Sequence, residues 1–127
     1  MSDKYTVMSI DDSASVRSIV AKFLAESEFE LVASLSDGKE AVEKYKTLRP
    51  SIVILDVVMP ILSGREVLKG IMEADPHARV GMVSSLGTEA VLHECLKSGA
   101  ISFLQKPFRR EGLLEFLRNL IAVKGNG

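Results

Sequence analysis

The alternation of two kinds of segment is the feature that most constrains how this chain can fold. Short runs rich in β-branched and apolar residues are each followed by a segment whose apolar residues recur at helical spacing. Five such units in succession predict a doubly wound α/β fold, with a parallel sheet, right-handed crossovers and helices on both faces. The predicted strands are Tyr5–Ile10, Glu30–Leu35, Ile52–Leu55, Val80–Ser84 and Ile101–Leu104.

The five segments between and after these runs each carry one apolar stripe, as amphipathic helices do. The second segment stops at Pro50 and the third at Pro76, whereas Gly99 follows the fourth in the place of a helix C-cap. The stripes are Val16, Ile19, Val20, Phe23 and Leu24; Ala41, Val42, Tyr45 and Leu48; Val67, Leu68, Ile71 and Met72; Val91, Leu92, Cys95 and Leu96; and Leu113, Leu114, Leu117, Leu120 and Ile121.

Length and composition fit one globular domain. The chain has 127 residues, of which 46% are apolar and 26% charged. We expect a single domain over residues 1–127, with a core from about 5 to 123 and a frayed tail at 124–127. A chain of this length buries roughly two-thirds of its unfolded surface, which is enough for stability without disulfides.

Charge and hydropathy exclude several classes of function. The net charge is −1 and the basic residues are scattered, which argues against binding nucleic acid. No apolar run approaches the roughly 20 residues that a membrane helix needs, and the first residues lack the pattern of a signal peptide. The single cysteine, Cys95, lies on an apolar stripe and is interpreted as a buried, inert thiol. We therefore expect a cytoplasmic protein that contacts no membrane.

Polar side chains follow four of the five predicted strands. Because the carboxyl ends of parallel strands meet at one edge of a sheet, we expect these side chains to converge there. They are Asp11 and Asp12 after the first strand, Asp56 after the third, Ser84 and Ser85 at the end of the fourth, and Lys106 and Pro107 after the fifth.

This set of groups suits phosphoryl transfer. Three carboxylates in one pocket repel each other unless a cation is present, and hard oxygen ligands favour Mg²⁺. In that setting Asp56 would be the nucleophile that forms an aspartyl phosphate. Lys106 would pair with one phosphoryl oxygen as a point charge, and Ser84 would donate a hydrogen bond to another.

Each of these residues also has a purely structural interpretation. Asp11, Asp12 or Ser13 could cap the first helix, which for the aspartate pair alone is the more economical reading. Asp56 could form an Asx turn, Gly64 could be a turn or cap glycine, and Ser84 and Lys106 could be ordinary strand-end residues. Taken together, these readings require separate coincidences at the ends of four strands.

Four motifs carry a family resemblance that extends from about Val7 to Ile121. With them, the chain resembles response-regulator receiver domains, and most of all their stand-alone, chemotaxis-type members. The resemblance implies the strand order 2-1-3-4-5, which is known for such domains. The motifs are Ile10-Asp11-Asp12-Ser13-Ala14; Ile54-Leu55-Asp56-Val57-Val58-Met59-Pro60 with Gly64; Met82-Val83-Ser84-Ser85; and Phe103-Leu104-Gln105-Lys106-Pro107-Phe108.

The resemblance also implies a role for each site residue. Asp56 takes a phosphoryl group from a phosphohistidine on a sensor histidine kinase, and Lys106 and Pro107 are joined by a cis peptide bond. Phe103 is the aromatic switch residue, which turns inward when Ser84 moves toward the phosphate. The implied Mg²⁺ ligands are Asp11, Asp12, Asp56 and the backbone carbonyl of Val58, and the implied phosphate-binding residues are Ser84 and Lys106.

Val58 and Leu86 depart from the family pattern, in which polar side chains flank the phosphate. An apolar pair offers no group that orients or activates water, so we predict a long-lived phosphoryl group and dependence on an external phosphatase. The alternative is that both residues merely pack against the rim. For Phe116 we expect a place at the edge of the core, the alternative being a partner surface.

Several functional alternatives remain open. With no output domain, the resemblance implies signalling by binding a target such as a flagellar motor switch protein, and an intermediate in a phosphorelay is the rival within the family. A pseudo-receiver would bind partners without phosphorylation. An aspartate-nucleophile phosphatase of the haloacid dehalogenase type belongs to a different class, and it needs a second acid two residues after the nucleophile. This chain has Ser13 two residues after Asp11 and Val58 two after Asp56, so we expect no turnover enzyme.

Overall fold

The sheet has the parallel, doubly wound arrangement that the alternating segments predict. The computed structural model describes residues 4–59 and 61–123, so Pro60 and the predicted frayed tail lie outside the described residues. Within these ranges, five parallel strands form one sheet: β1 (Tyr5–Ile10), β2 (Phe29–Leu35), β3 (Ile52–Asp56), β4 (Val80–Ser84) and β5 (Ser102–Gln105). Their order is β2-β1-β3-β4-β5, which confirms the expected topology.

A helix follows each strand, and each helix contains the stripe predicted for it. None of the helices in the described ranges is long and apolar enough to cross a lipid bilayer. The five helices of those ranges are α1 (Ala14–Leu24), α2 (Ala41–Leu48), α3 (Gly64–Ala74), α4 (Glu89–Lys97) and α5 (Arg110–Ala122).

Strand boundaries differ from the sequence pattern where backbone pairing, and not side-chain character, decides them. Strand β2 begins at Phe29, one residue earlier than predicted, because Phe29 pairs with Tyr5 of β1. Strand β5 is shifted one residue later, since Gln105 pairs with Ser84 although its side chain is polar. Hydropathy carries no information on such backbone pairs.

Two hydrophobic clusters lie on the two faces of the sheet. Successive residues of a strand point to opposite faces, so Leu55 joins the cluster beneath α2, α3 and α4, whereas Ile54 joins the cluster beneath α1 and α5. All five residues of β3 are buried, as expected of a central strand covered on both sides. Ile19 and Leu48, at the margins of their predicted stripes, are exposed.

Phe116 and Cys95 both belong to the interior. A Cβ atom added to Gly81 would lie 2.5 Å from Cζ of Phe116, so the ring packs directly on the backbone of β4. Phe116 is buried, which confirms its placement at the core edge and leaves it little area for a partner. The thiol of Cys95 is fully buried beneath α4, as predicted.

Two of the helices that begin near the carboxyl edge of the sheet, α1 and α3, are capped by a serine side chain. Ser13 precedes α1, and its hydroxyl oxygen accepts a hydrogen bond from the amide of Val16 at 3.3 Å. Ser63 precedes α3 and forms a reciprocal capping box with Glu66. Such caps satisfy amides that a helix leaves unpaired, so the loops after β1 and β3 enter well-defined helices. At the far end of α4, Gly99 has φ +122°, as a C-cap glycine does.

Candidate functional site

The register of the sheet brings the predicted site residues to one edge. Ile10 pairs with Leu55, so Asp11, just beyond the end of β1, lies beside Asp56, the last residue of β3. Strand β4 ends beside Asp56, and Ser84 in turn pairs with the last residue of β5, after which Lys106 follows. The parallel pairing therefore produces the convergence that the sequence predicts.

Three carboxylates form the centre of this site. One carboxylate oxygen from each of Asp11, Asp12 and Asp56 lies within 4.8 Å of the others. Asp11 and Asp56 are buried, whereas Asp12 is exposed, so the cluster is open to solvent on one side. This oxygen-rich set, accessible from one side, fits Mg²⁺, which binds through a few carboxylates and keeps several waters.

Lys106 supplies the positive charge next to the buried carboxylates. Its Nζ lies 2.9 Å from Oδ2 of Asp11 and 3.5 Å from Oδ2 of Asp56. Burial disfavours the ammonium form, but the bonds to the two carboxylates outweigh burial and raise the pKa of Lys106. The amide of Lys106 donates to the carbonyl of Ser84 at 2.8 Å, and the following peptide bond to Pro107 is cis, as expected.

The charge on Asp56 is only partly compensated. Burial, and then the neighbouring charge of Asp11, raise the pKa of Asp56 from 3.8 to about 6, although Lys106 opposes that rise. One ammonium is shared between two buried carboxylates, and a third carboxylate lies beside them. The site can therefore accept further positive charge, which a divalent cation would supply.

Asp11 is held by its main chain as well as by its carboxylate. Its amide donates to the carbonyl of Leu35 at 3.0 Å, and its Oδ1 accepts from the amide of Ser13 at 2.9 Å. Nη1 of Arg17 donates to the carbonyl oxygen of Asp11 at 2.8 Å. The capping oxygen of α1 belongs to Ser13, so neither Asp11 nor Asp12 is the N-cap, which overturns the structural interpretation of that pair.

Arg17 is a residue that sequence reasoning missed. It lies six residues after Asp11 in a helix whose other polar residues face solvent, and only that nearness in sequence hints at a contact with the site. A long cationic side chain on a helix is normally assigned to the solvated face, so the pattern gives no reason to single it out.

Gly64 has a role other than the turn or cap that its residue type suggests. The cap of α3 is Ser63, and the amide of Gly64 donates to the carbonyl of Val57 at 3.0 Å. A Cβ atom at Gly64 would lie 2.1 Å from the carbonyl oxygen of Asp56. The absence of a side chain thus allows the start of α3 to approach the backbone that carries Asp56.

Apolar side chains project around the mouth of the site. Val58 is 57% exposed and Leu86 is 78% exposed, and Ile61 in the same loop as Val58 is also exposed. Most of the surface of both side chains therefore faces solvent. The amide of Val58 donates weakly to Oδ1 of Asp56 at 3.4 Å, so this residue lies directly beside the predicted acceptor.

Phe103 and Ser84 occupy neighbouring strands at different levels. Phe103 of β5 pairs with Met82, two residues before Ser84 in β4. The ring of Phe103 is 45% exposed, whereas Ser84 is buried. In this conformation the aromatic side chain is thus directed outward.

Several known proteins are similar to this chain over most of its length. The sequence model of one protein family, the response regulator receiver domain, matches residues 7–118 of this chain. Chemotaxis protein CheY of Thermotoga maritima is 36% identical over 114 residues, which cover 90% of this chain and 95% of that protein. Chemotaxis protein CheY of Listeria monocytogenes is 40% identical over 108 residues, which cover 85% and 91% of the two chains.

Solved structures agree with the sequence comparisons. The response regulator domain of Thermotoga maritima CheB superposes with a TM-score of 0.86 at 36% identity, covering 95% of this chain and 98% of that one. A CheX–CheY–BeF3–Mg²⁺ complex from Borrelia burgdorferi contains a chain with a TM-score of 0.86 at 36% identity, covering 94% and 90%. Since the family match spans most of the sequence and these relatives share the same strand order and extent, the chain belongs to the response regulator receiver domain family of two-component signalling, in its CheY-like group.

Proposed function

We propose that this chain is a phosphorylation-activated switch in which Asp56 accepts a phosphoryl group from a sensor histidine kinase. The observation that carries the proposal is the sharing of one ammonium, that of Lys106, between the buried carboxylates of Asp11 and Asp56. A site with this excess of carboxylate oxygen can bind a cation and then a phosphoryl group, whereas a purely structural cluster would be neutralised internally.

The transfer forms one bond and breaks another. A carboxylate oxygen of Asp56 attacks the phosphorus of a phosphohistidine, a P–O bond forms, and the P–N bond breaks with its electron pair returning to the imidazole. Lys106 lies within 3.5 Å of the acceptor carboxylate and pairs with a phosphoryl oxygen after transfer. Ser84, buried at the end of β4, donates its hydroxyl to a second phosphoryl oxygen.

Asp11, Asp12 and Asp56 would hold Mg²⁺, together with the backbone carbonyl of Val58. When bound, the ion supplies positive charge against the negative charge that spreads over the phosphoryl oxygens. The buried pair, Asp11 and Asp56, provides the floor of the site, and exposed Asp12 completes it on the solvent side.

The switch couples Ser84 to Phe103. When Ser84 moves toward the phosphoryl group it vacates space, and the outward ring of Phe103 turns in to fill it. Reversal of a hundredfold preference for the inactive form requires about 5.5 kcal/mol of differential stabilisation. The new charge at Asp56 and its bonds to Ser84 and Lys106 supply that bias.

The names of the relatives support two kinds of partner. Proteins named chemotaxis protein CheY are similar over most of this chain, which favours a chemotaxis role with a flagellar motor switch protein as target. The complex of CheX with a CheY bearing BeF3 and Mg²⁺ favours a second protein that recognises the phosphorylated form, since BeF3 imitates a phosphoryl group. With apolar Val58 and Leu86 following Asp56 and Ser84, we infer separately that removal of the phosphoryl group depends on an external phosphatase.

Intact mass after incubation with acetyl phosphate and Mg²⁺ tests the proposal. We expect one phosphoryl group on the wild type and none on Asp56→Asn. Asp37→Asn is a matched control, because Asp37 lies at the same edge in the loop after β2 and bonds locally to the amide of Lys39. Phosphorylation of Asp56→Asn, or continuous release of phosphate by the wild type, would contradict the switch and favour another acceptor or a phosphatase.

A further inference from the structure

Arg17 makes a contact that the phosphoryl-transfer chemistry does not itself require. Its Nη1 donates to the main-chain carbonyl of Asp11 at 2.8 Å, and the side chain is half-buried. Arg17 is anchored in α1, where its own amide donates to the carbonyl of Ser13 at 3.0 Å. The guanidinium therefore reaches back over one helical turn to the loop that carries the two aspartates.

The acceptor of this bond belongs to the peptide group between Asp11 and Asp12. A peptide group is planar and joins two Cα atoms rigidly, so a bond to its oxygen restrains the plane from which both side chains depart. The Asp11 carboxylate has further restraints from Lys106 and the amide of Ser13. Asp12 is exposed, so its placement depends much more on the backbone.

We infer that Arg17 is a positioning residue that fixes the Asp11–Asp12 peptide and so presents both carboxylates to Mg²⁺. This inference rests on the proposed function of the acidic edge as a Mg²⁺ site. Partners that orient metal ligands typically contribute about 10- to 100-fold to metal affinity. A donor held on a helix is suited to this task, because a rigid element limits the movement of the groups that it supports.

Calorimetric titration of Mg²⁺ into the metal-free protein tests the inference, with Arg17→Met as the main variant. Methionine keeps much of the apolar stem and removes every donor. We expect the Mg²⁺ dissociation constant to rise by about tenfold. Phosphorylation by acetyl phosphate should require correspondingly more Mg²⁺ but reach nearly the wild-type rate at saturation, because the hydrogen bond of the Arg17 side chain goes to the main chain of Asp11 and not to Asp56 or Lys106.

Arg79→Met is the matched control. Nη1 of Arg79 also donates to a main-chain carbonyl at 2.8 Å, that of Leu120, at the opposite edge of the sheet. We expect its loss to lower the melting temperature and to leave Mg²⁺ affinity unchanged. An equal loss of affinity in Arg79→Met, or an unchanged dissociation constant in Arg17→Met, would overturn the role assigned to Arg17.

A second variant keeps the test decisive if Arg17→Met does not fold. Arg17→Lys retains a charged donor of shorter reach, so we expect an intermediate loss of about threefold. An unchanged dissociation constant in that variant would then reject the inference. Failure of the proposed function looks different, since the wild type itself would neither bind Mg²⁺ nor gain a phosphoryl group, and the inference would fall with it.

Discussion

Two polar clusters at opposite edges of the sheet contain similar groups but differ in how fully their charges are compensated. At the amino edge, the Asp75 carboxylate accepts from the hydroxyl of Tyr45 at 2.6 Å and from Arg49 at 3.2 Å, and its other oxygen accepts from the amide of His77 at 3.0 Å. The hydroxyl of Tyr45 is the main cause that lowers the pKa of Asp75. The negative charge of Asp75 is therefore compensated by Arg49 and by two further hydrogen-bond donors.

At the carboxyl edge, the negative charge of the carboxylates is only partly compensated. The carboxylates of Asp11 and Asp56 share Lys106, and burial together with Asp11 raises the pKa of Asp56 to about 6. A carboxyl group with a lowered pKa stabilises the fold in its charged form, whereas one with a raised pKa destabilises it. The comparison separates a cluster whose charges stabilise the fold from a cluster whose charge a cation could balance.

The largest expected effect is the loss of the shared ammonium. We predict that Lys106→Met lowers the free energy of unfolding by about 3 kcal/mol at neutral pH in the presence of chelator, because two buried carboxylates then face each other alone. The matched change Arg49→Met should cost less than about 1 kcal/mol, since the Arg49 side chain is 60% exposed. Urea unfolding measures both values, and equal losses would remove the contrast between the clusters.

Addition of Mg²⁺ should raise the free energy of unfolding only by binding to the carboxylates at the carboxyl edge. At a concentration one hundred times its dissociation constant, a ligand that binds the folded state alone adds about 2.7 kcal/mol. We expect this gain in the wild type and in Asp75→Asn, and a much smaller gain in Asp12→Asn. Thermal melts with and without Mg²⁺ provide the measurement. A gain that survives loss of Asp12 would show that the ion binds elsewhere.

The pH dependence of the free energy of unfolding should reveal the raised pKa of Asp56. Its folded pKa lies near 6, above the ordinary 3.8, so the folded state takes up a proton more readily than the unfolded chain between these values. In chelator, stability should therefore rise as pH falls from about 7.5 to 5, by about 1 kcal/mol after allowance for solvent screening. Urea unfolding of Asp56→Asn should lack this component. An identical pH profile in the variant would show that Asp56 has no raised pKa.

The smallest effect is expected at the amino edge. Tyr45→Phe removes one donor from Asp75, which keeps Arg49 and the amide of His77, so we predict a loss of about 0.5–1 kcal/mol at neutral pH. Because a lowered pKa stabilises only the charged form, this deficit should shrink as pH falls below the ordinary value of 3.8 and vanish once pH is below the lowered pKa of folded Asp75. Titration by NMR should show the pKa of Asp75 moving up toward that value. A constant deficit at low pH would assign it to packing.

Particular residues show where sequence reasoning succeeds. Asp11 and Asp56 were predictable because each follows an apolar run long enough for a strand, and parallel strands end at one edge. Cys95 and Phe116 were predictable as interior residues because burial follows helical periodicity. Periodicity was less reliable at the margins of a stripe, where Ile19 is exposed.

Other residues were beyond the sequence pattern. Arg17 contacts the carbonyl of Asp11, and Gly64 allows close approach to the carbonyl of Asp56, yet both acceptors are backbone atoms that every residue type carries. The ends of β2 and β5 likewise depend on which amides pair across the sheet. Main-chain groups leave no mark on residue type, so contacts to them cannot be read from a single sequence.

By itself, the sequence determined the succession of strands and helices along the chain, most of the interior residues and the acidic edge, because these depend on local periodicity and on which residue types end each strand. Only the tertiary structure decided how the charges are shared. Whether Lys106 compensates one carboxylate or two, and how far the pKa of Asp56 rises, depends on distances and burial that arise only when separate strands are packed side by side.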